Sequence, residues 1–195
     1  MPALLPRLVA ISPEPPPPEH AAPFLAQLRR TLTHGPMLLQ LRARALALPP
    51  YLELARAAHA MCRDAGALLV LNHPALPASG AAHADGVHWP SAVLMAQQTR
   101  PRAGLIVSAA CHNAAQLDAA RRLGVDLATL SPVRATPSHP GQPGLGWAAF
   151  AALAANAGLP VYALGGVVPD DLPLARAHGG AGVAGIRGFW ARDAG

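Results

Sequence analysis

The stretch LIVSAACHNAAQLDAARRLGVDLATLS, residues 105–131, reads as strand, helix and strand. Residues 105–110 (LIVSAA) and 126–131 (DLATLS) are short runs without polar alternation. That is the pattern of parallel strands buried on both faces. Residues 113–123 between them carry a helical pattern, and Asn113 stands where a side-chain cap belongs. The same unit recurs outward from this stretch. Further strands are expected at 8–12, 37–43, 67–72, 86–89, 161–166 and 182–187, which gives eight in all. Helices are expected at 21–32, from Pro49-Pro50 to Gly66, at 147–157 and at 170–178.

Two α/β architectures fit alternating strands and helices, an open doubly wound sheet and a closed (β/α)8 TIM barrel. Eight units favour closure, because a barrel uses them all. The segment from Asn72 to Gly86 is too rich in proline and glycine for a full helix, so one unit is expected to be abbreviated. The proline run at 13–18, interrupted by Glu14, follows a strand and precedes a helix, and reads as a loop. The expectation is one compact barrel domain over residues 1–195.

Composition narrows the function classes. Of 195 residues, 52% are hydrophobic and 13% charged, enough apolar material for a large core. No apolar run of membrane-spanning length is free of charges and breakers. The opening MPALLPRLVA is too short and proline-broken for a secretory signal, so a cytoplasmic location is the expectation. Cys62 and Cys111 form neither a disulfide framework nor a metal-binding spacing. All 15 basic residues are arginine, against 10 acidic ones, for a net charge of +5. Without lysine, Schiff-base chemistry is excluded. The positive balance points to a solvated basic surface or an anionic small ligand. Nucleic acid is not expected, since Arg29-Arg30 and Arg121-Arg122 fall on outer helices with few aromatic side chains near them. Self-association is compatible with these residues.

In a barrel, chemistry gathers at the carboxyl ends of the strands. Those ends carry Ser12; Gln40, Arg42 and Arg44; Asn72 and His73; His88 and Trp89; Ser108, Cys111 and His112; Ser131, Thr136, Ser138 and His139; Gly165 and Gly166; and Gly185, Ile186 and Arg187. The set is polar and basic and contains no carboxylate, so no oxygen-ligated metal is expected. Glycines after strands seven and eight stand where a barrel builds a phosphate site, although they could equally make tight turns. Gln40, Arg42 and Arg44 share strand parity and can face one side. His88 reads as either a satisfied core histidine or a pocket wall, Cys111 as a small buried thiol, and Trp89 and Trp147 as covers for the barrel ends.

Seven strings follow in order: QLRAR, LVLNH, GVHW, CHNAAQLDAA, SPVRATPSHPG, ALGGV and GVAGIR. Together they resemble the thiamine phosphate synthase/TenI superfamily, and most closely the TenI-like domains fused to Nudix hydrolases. The resemblance implies a (β/α)8 barrel that binds a thiazole phosphate without a cofactor. It places Thr136, Ser138 and the backbone of Gly165, Gly166, Ile186 and Arg187 around the phosphate. Gln40, Arg44 and Asn72 fall where synthases hold a pyrimidine pyrophosphate, with Arg44 in place of a family lysine. His73 and Val93 stand where synthases carry magnesium-binding aspartates, Pro74 replaces an arginine, and His139 replaces a lysine. These departures favour a metal-independent thiazole tautomerase, with His112 as the acid/base. A divergent thiamine phosphate synthase and a non-catalytic domain serving a Nudix hydrolase are the alternatives.

Overall fold

A computed structural model describes residues 5–35, 37–80, 82–101, 104–136 and 143–190. In chain order these form β1 (Leu8–Ile11), α1 (Ala21–Leu32), β2 (Leu38–Arg42), α2 (Leu48–Asp64), β3 (Leu68–Asn72), β4 (Gly86–Trp89), α3 (Ser91–Ala96), β5 (Ile106–Cys111), α4 (Ala114–Arg122), β6 (Leu127–Leu130), α5 (Gly146–Ala155), β7 (Val161–Leu164), α6 (Leu172–Ala177) and β8 (Gly182–Gly185). Every strand pairs in parallel with its neighbours in sequence, and β8 closes onto β1. The expected (β/α)8 barrel is therefore the fold.

Local signals account for several boundaries. Asn113 accepts the Gln116 N–H at 3.0 Å and caps α4 as its position implied. Prolines in its first turn open α2, where a missing N–H costs nothing. The described residues between β3 and β4 contain no helix, so the unit expected to be abbreviated lacks its helix there altogether. Helix α3 has no counterpart among the expected elements. Its six residues follow Pro90 directly and are too few to display a helical period.

Strand parity sorts the side chains into two cores. Val9, Ile11, Leu38, Val70, Leu127, Tyr162 and Ala184 fill the lumen. The larger core lies between the strands and the helices and includes Leu28, Leu41, Leu71, Val107 and Phe150. Leu28 is fully buried there, and its loss to alanine is expected to cost about 2–5 kcal/mol. Because His88 points inward, Trp89 must point outward. It lies buried in the outer core with its indole N–H donating to Ala78 O at 2.9 Å. Trp147 packs edge-on against Phe150 of its own helix α5. Trp89 therefore does not cover a barrel end as expected, and strand parity is the reason; Trp147 instead packs beside the outer core on the face of α5 that carries Phe150.

The amino end of the barrel is pinned by one device used twice. Asp85, just before β4, accepts the Leu69 N–H at 2.7 Å and returns its own N–H to Leu69 O at 2.9 Å. Asp126, just before β6, does the same with Val107 at 2.7 and 2.9 Å. Each acid also has a basic neighbour: His59 lies 3.6 Å from Asp85, and Arg100 lies 2.7 Å from Asp126. These carboxylates hold strands in register at the end opposite the candidate site.

Candidate functional site

The carboxyl ends of the strands open onto a cavity of about 800 Å³. Inward parity puts apolar residues low in the lumen and polar ones at its top: Gln40 and Arg42 above Leu38, Asn72 above Val70, and Thr129 above Leu127. Twelve of the expected site residues line this one cavity: Gln40, Arg42, Arg44, Asn72, His88, His112, Thr136, Gly165, Gly166, Gly185, Ile186 and Arg187. Ser138 and His139 lie outside the described residues. No carboxylate is among the described lining residues.

Arg42 is half-buried. Burial and the neighbouring Arg44 pull its pKa down, and Glu14 pulls it back. An arginine so perturbed is still a cation. Ser12 accepts the Arg42 N–H at 2.9 Å and is consumed in fixing the end of β2. Tyr51, buried under the same end, donates to Leu41 O at 2.9 Å and accepts the Asn72 N–H at 3.0 Å, which joins the tops of β2 and β3.

His88 is both a core histidine and a pocket wall. It is buried, lines the cavity, and has Nδ1 2.8 Å from the Ser108 hydroxyl in register on β5. Burial, reinforced by Arg42, lowers its pKa to about 3, so the ring is neutral near pH 7. His112 sits on the rim between β5 and α4. Its Nδ1 lies 2.9 Å from Ser131 O, and a carbonyl only accepts, so Nδ1 carries the proton. In that tautomer Nε2 is the nitrogen left to accept a proton. Gln116 Oε1 accepts the His112 N–H at 2.7 Å and fixes the approach to α4. Cys111 is the buried thiol expected, and burial pushes its pKa up to about 12.

After β7 the chain makes two left-handed steps, with φ of 94° at Gly165 and 67° at Gly166. A Cβ at Gly165 would stand 2.7 Å from Pro132 Cα, and one at Gly166 would stand 2.7 Å from Arg134 Cβ. Only glycine lets this turn lie so close to the loop after β6.

Two rim residues escaped the sequence reading. Glu14 accepts the Arg44 N–H at 2.7 Å and the Ala45 N–H at 2.9 Å, which shapes the loop that presents Arg44. An acid alone in a proline run after a strand was the available signal. Arg134 pairs with Asp171 across two loops, and nothing local to either residue announces that contact.

A closed parallel barrel with an open basic cavity at the carboxyl ends of its strands is a (β/α)8 protein of the kind that keeps its chemistry at the mouth. Within that class the chain belongs to the thiamine monophosphate synthase family, whose model matches residues 8–189. It is 32% identical to the "Putative thiamine-phosphate synthase 2" of Aquifex aeolicus, over 95% of this chain and 98% of that one. It is 30% identical to the thiamine-phosphate synthase of Thioalkalivibrio sulfidiphilus, over 86% of this chain and 80% of that one. Among solved structures, thiamine phosphate pyrophosphorylase from Pyrococcus furiosus superposes with a TM-score of 0.69 at 18% identity, covering 96% of this chain and 89% of that one, a likeness of fold.

Proposed function

We propose that the chain serves thiamine biosynthesis as a divergent thiamine phosphate synthase, taking a thiazole phosphate and a pyrimidine pyrophosphate into its mouth. One observation carries this reading: a single cavity offers two anion-ready walls separated by β1. Arg42 and Arg44 stand on the β2 wall, and the glycine turn after β7 with the end of β8 at Gly185, Ile186 and Arg187 forms the other. Two such walls suit two anionic substrates better than the isomerisation of one. The names of the relatives also favour the synthase over the tautomerase expected from the sequence.

The magnesium ion that the family resemblance implies does not fit these residues. His73 has both ring nitrogens engaged, Nε2 2.7 Å from Leu46 O and Nδ1 3.0 Å from the Ala75 N–H. Val93 is packed against the outer core. Arg42 and Arg44 would instead offset the charge that develops on departing pyrophosphate. Gln40 and Asn72 would orient the pyrimidine substrate, and Thr136 with the glycine turn after β7 and the end of β8 would hold the thiazole phosphate.

The tautomerase reading keeps one specific support, the proton-accepting Nε2 of His112 at the cavity rim. A ligand-binding domain partnering a Nudix hydrolase would be favoured by a blocked pocket, and outward-facing Trp89 leaves the pocket open. A cytoplasmic location accords with a biosynthetic enzyme. No helix among the described residues is long and apolar enough to cross a membrane.

Incubation with both substrates, followed by chromatography, is expected to yield thiamine phosphate, and Arg42→Ala to reduce the yield. Absence of product together with tautomerisation of carboxythiazole phosphate that disappears in His112→Ala would reverse the order of the two readings.

A further inference from the structure

We propose that Arg134 and Asp171 are a positioning pair that sets the phosphate end of the mouth by locking the loop after β6 onto the turn after β7. The proposal rests on the reading that Gly165 and Gly166 face a phosphate. Arg134 Nη1 and Nη2 donate to the two Asp171 oxygens at 2.8 Å each, a fork that fixes both position and angle. Nη1 also donates to Gly166 O at 3.3 Å. The guanidinium lies over the Trp147 ring, 5.6 Å from its centroid, which ties in α5. Asp171 Oδ2 takes the Val168 N–H at 2.9 Å as well, so this acid reaches back to the glycine turn.

The backbones interlock under this pair. Val133 N–H donates to Leu164 O at 2.8 Å, and Arg134 N–H donates to Gly165 O at 3.0 Å. Thr136, two residues further along, lines the cavity on the same loop. An isolated exposed ion pair contributes little, but this one is bidentate, its acid is only 13% exposed, and it belongs to a network of four segments. Lysine would keep the charge and lose the fork.

Calorimetric titration of thiazole phosphate into the protein and its variants tests the pair. Arg134→Ala, Arg134→Lys and Asp171→Asn are each expected to raise Kd about 10-fold, and Arg134→Lys with Asp171→Asn together no more than either alone. Wild-type affinity in Arg134→Lys would mean that charge and not geometry matters, and would overturn the proposal. A multiplicative loss in the double variant, to about 100-fold, would overturn it by showing independent roles. Saturable binding by the wild type with all variants within about twofold would remove the pair's role and leave the mouth reading intact. No saturable binding by the wild type would sink the mouth reading itself. Should Arg134→Ala fail to fold, the near-isosteric Asp171→Asn carries the same test.

Discussion

The two ends of the barrel use charge in opposite ways. At the amino end, Asp85 and Asp126 are each committed to a strand N–H, and each has a basic neighbour, His59 or Arg100. At the mouth, Arg42 and Arg44 line a cavity whose described walls hold no acid, and the nearby Glu14 is occupied by two backbone N–H groups. The carboxylates at the base are spent on backbone N–H groups where they stand and stabilise the sheet. At the mouth Arg134 is matched by Asp171, but Arg42 and Arg44 face the cavity with no carboxylate among its described lining residues. A substitution at one end should therefore move stability, and one at the other should move affinity.

The largest effect is expected at the mouth. Arg42→Ala with Arg44→Ala should weaken pyrimidine pyrophosphate binding roughly 100-fold or more, because two charge-assisted contacts are lost, while the melting temperature stays nearly constant. Calorimetry and thermal melts on the same samples check both halves. A large fall in melting temperature with unchanged affinity would invert the comparison.

Asp126→Asn is the counterpart at the base. It removes the charge facing Arg100 and weakens the bond to the Val107 N–H, for an expected cost of about 1–3 kcal/mol in urea unfolding. Ligand affinity should stay within about twofold of wild type. A matching loss of affinity would mean that the two ends are coupled.

His88 sharpens the comparison through pH. Its pKa falls from 6.5 in the unfolded chain to about 3 in the fold, so between those values the unfolded chain binds the extra proton. Stability is then complete above about pH 6.5 and declines as pH drops toward 3, by about 2 kcal/mol at pH 5. His88→Asn should flatten that slope in urea titrations at pH 5 and pH 7.5. An unchanged slope would show that other groups carry it.

Much of the fold was legible because strands buried on both faces read as continuous apolar runs, and GVHW at 86–89 is a strand over those same four residues. Helix α3 was not legible, being too short to show a period. The mouth residues were legible from their places at strand ends, and twelve of them meet in one cavity. The side-chain partnerships of Glu14 and Arg134 were not, because their partners lie 30 and 37 residues away and only closure of the barrel brings them together. Trp89 shows the cost of ignoring parity: once His88 faces inward, its neighbour must face the helices.

Titration of thiazole phosphate into the wild type and Gly166→Val, both in excess chelator, tests the central claim most directly. The wild type is expected to bind saturably at one site without a divalent cation, and Gly166→Val to lose roughly 10- to 100-fold in affinity, since valine fits neither the left-handed backbone nor the gap to Arg134. Binding that requires magnesium, or that ignores Gly166→Val, would contradict the account.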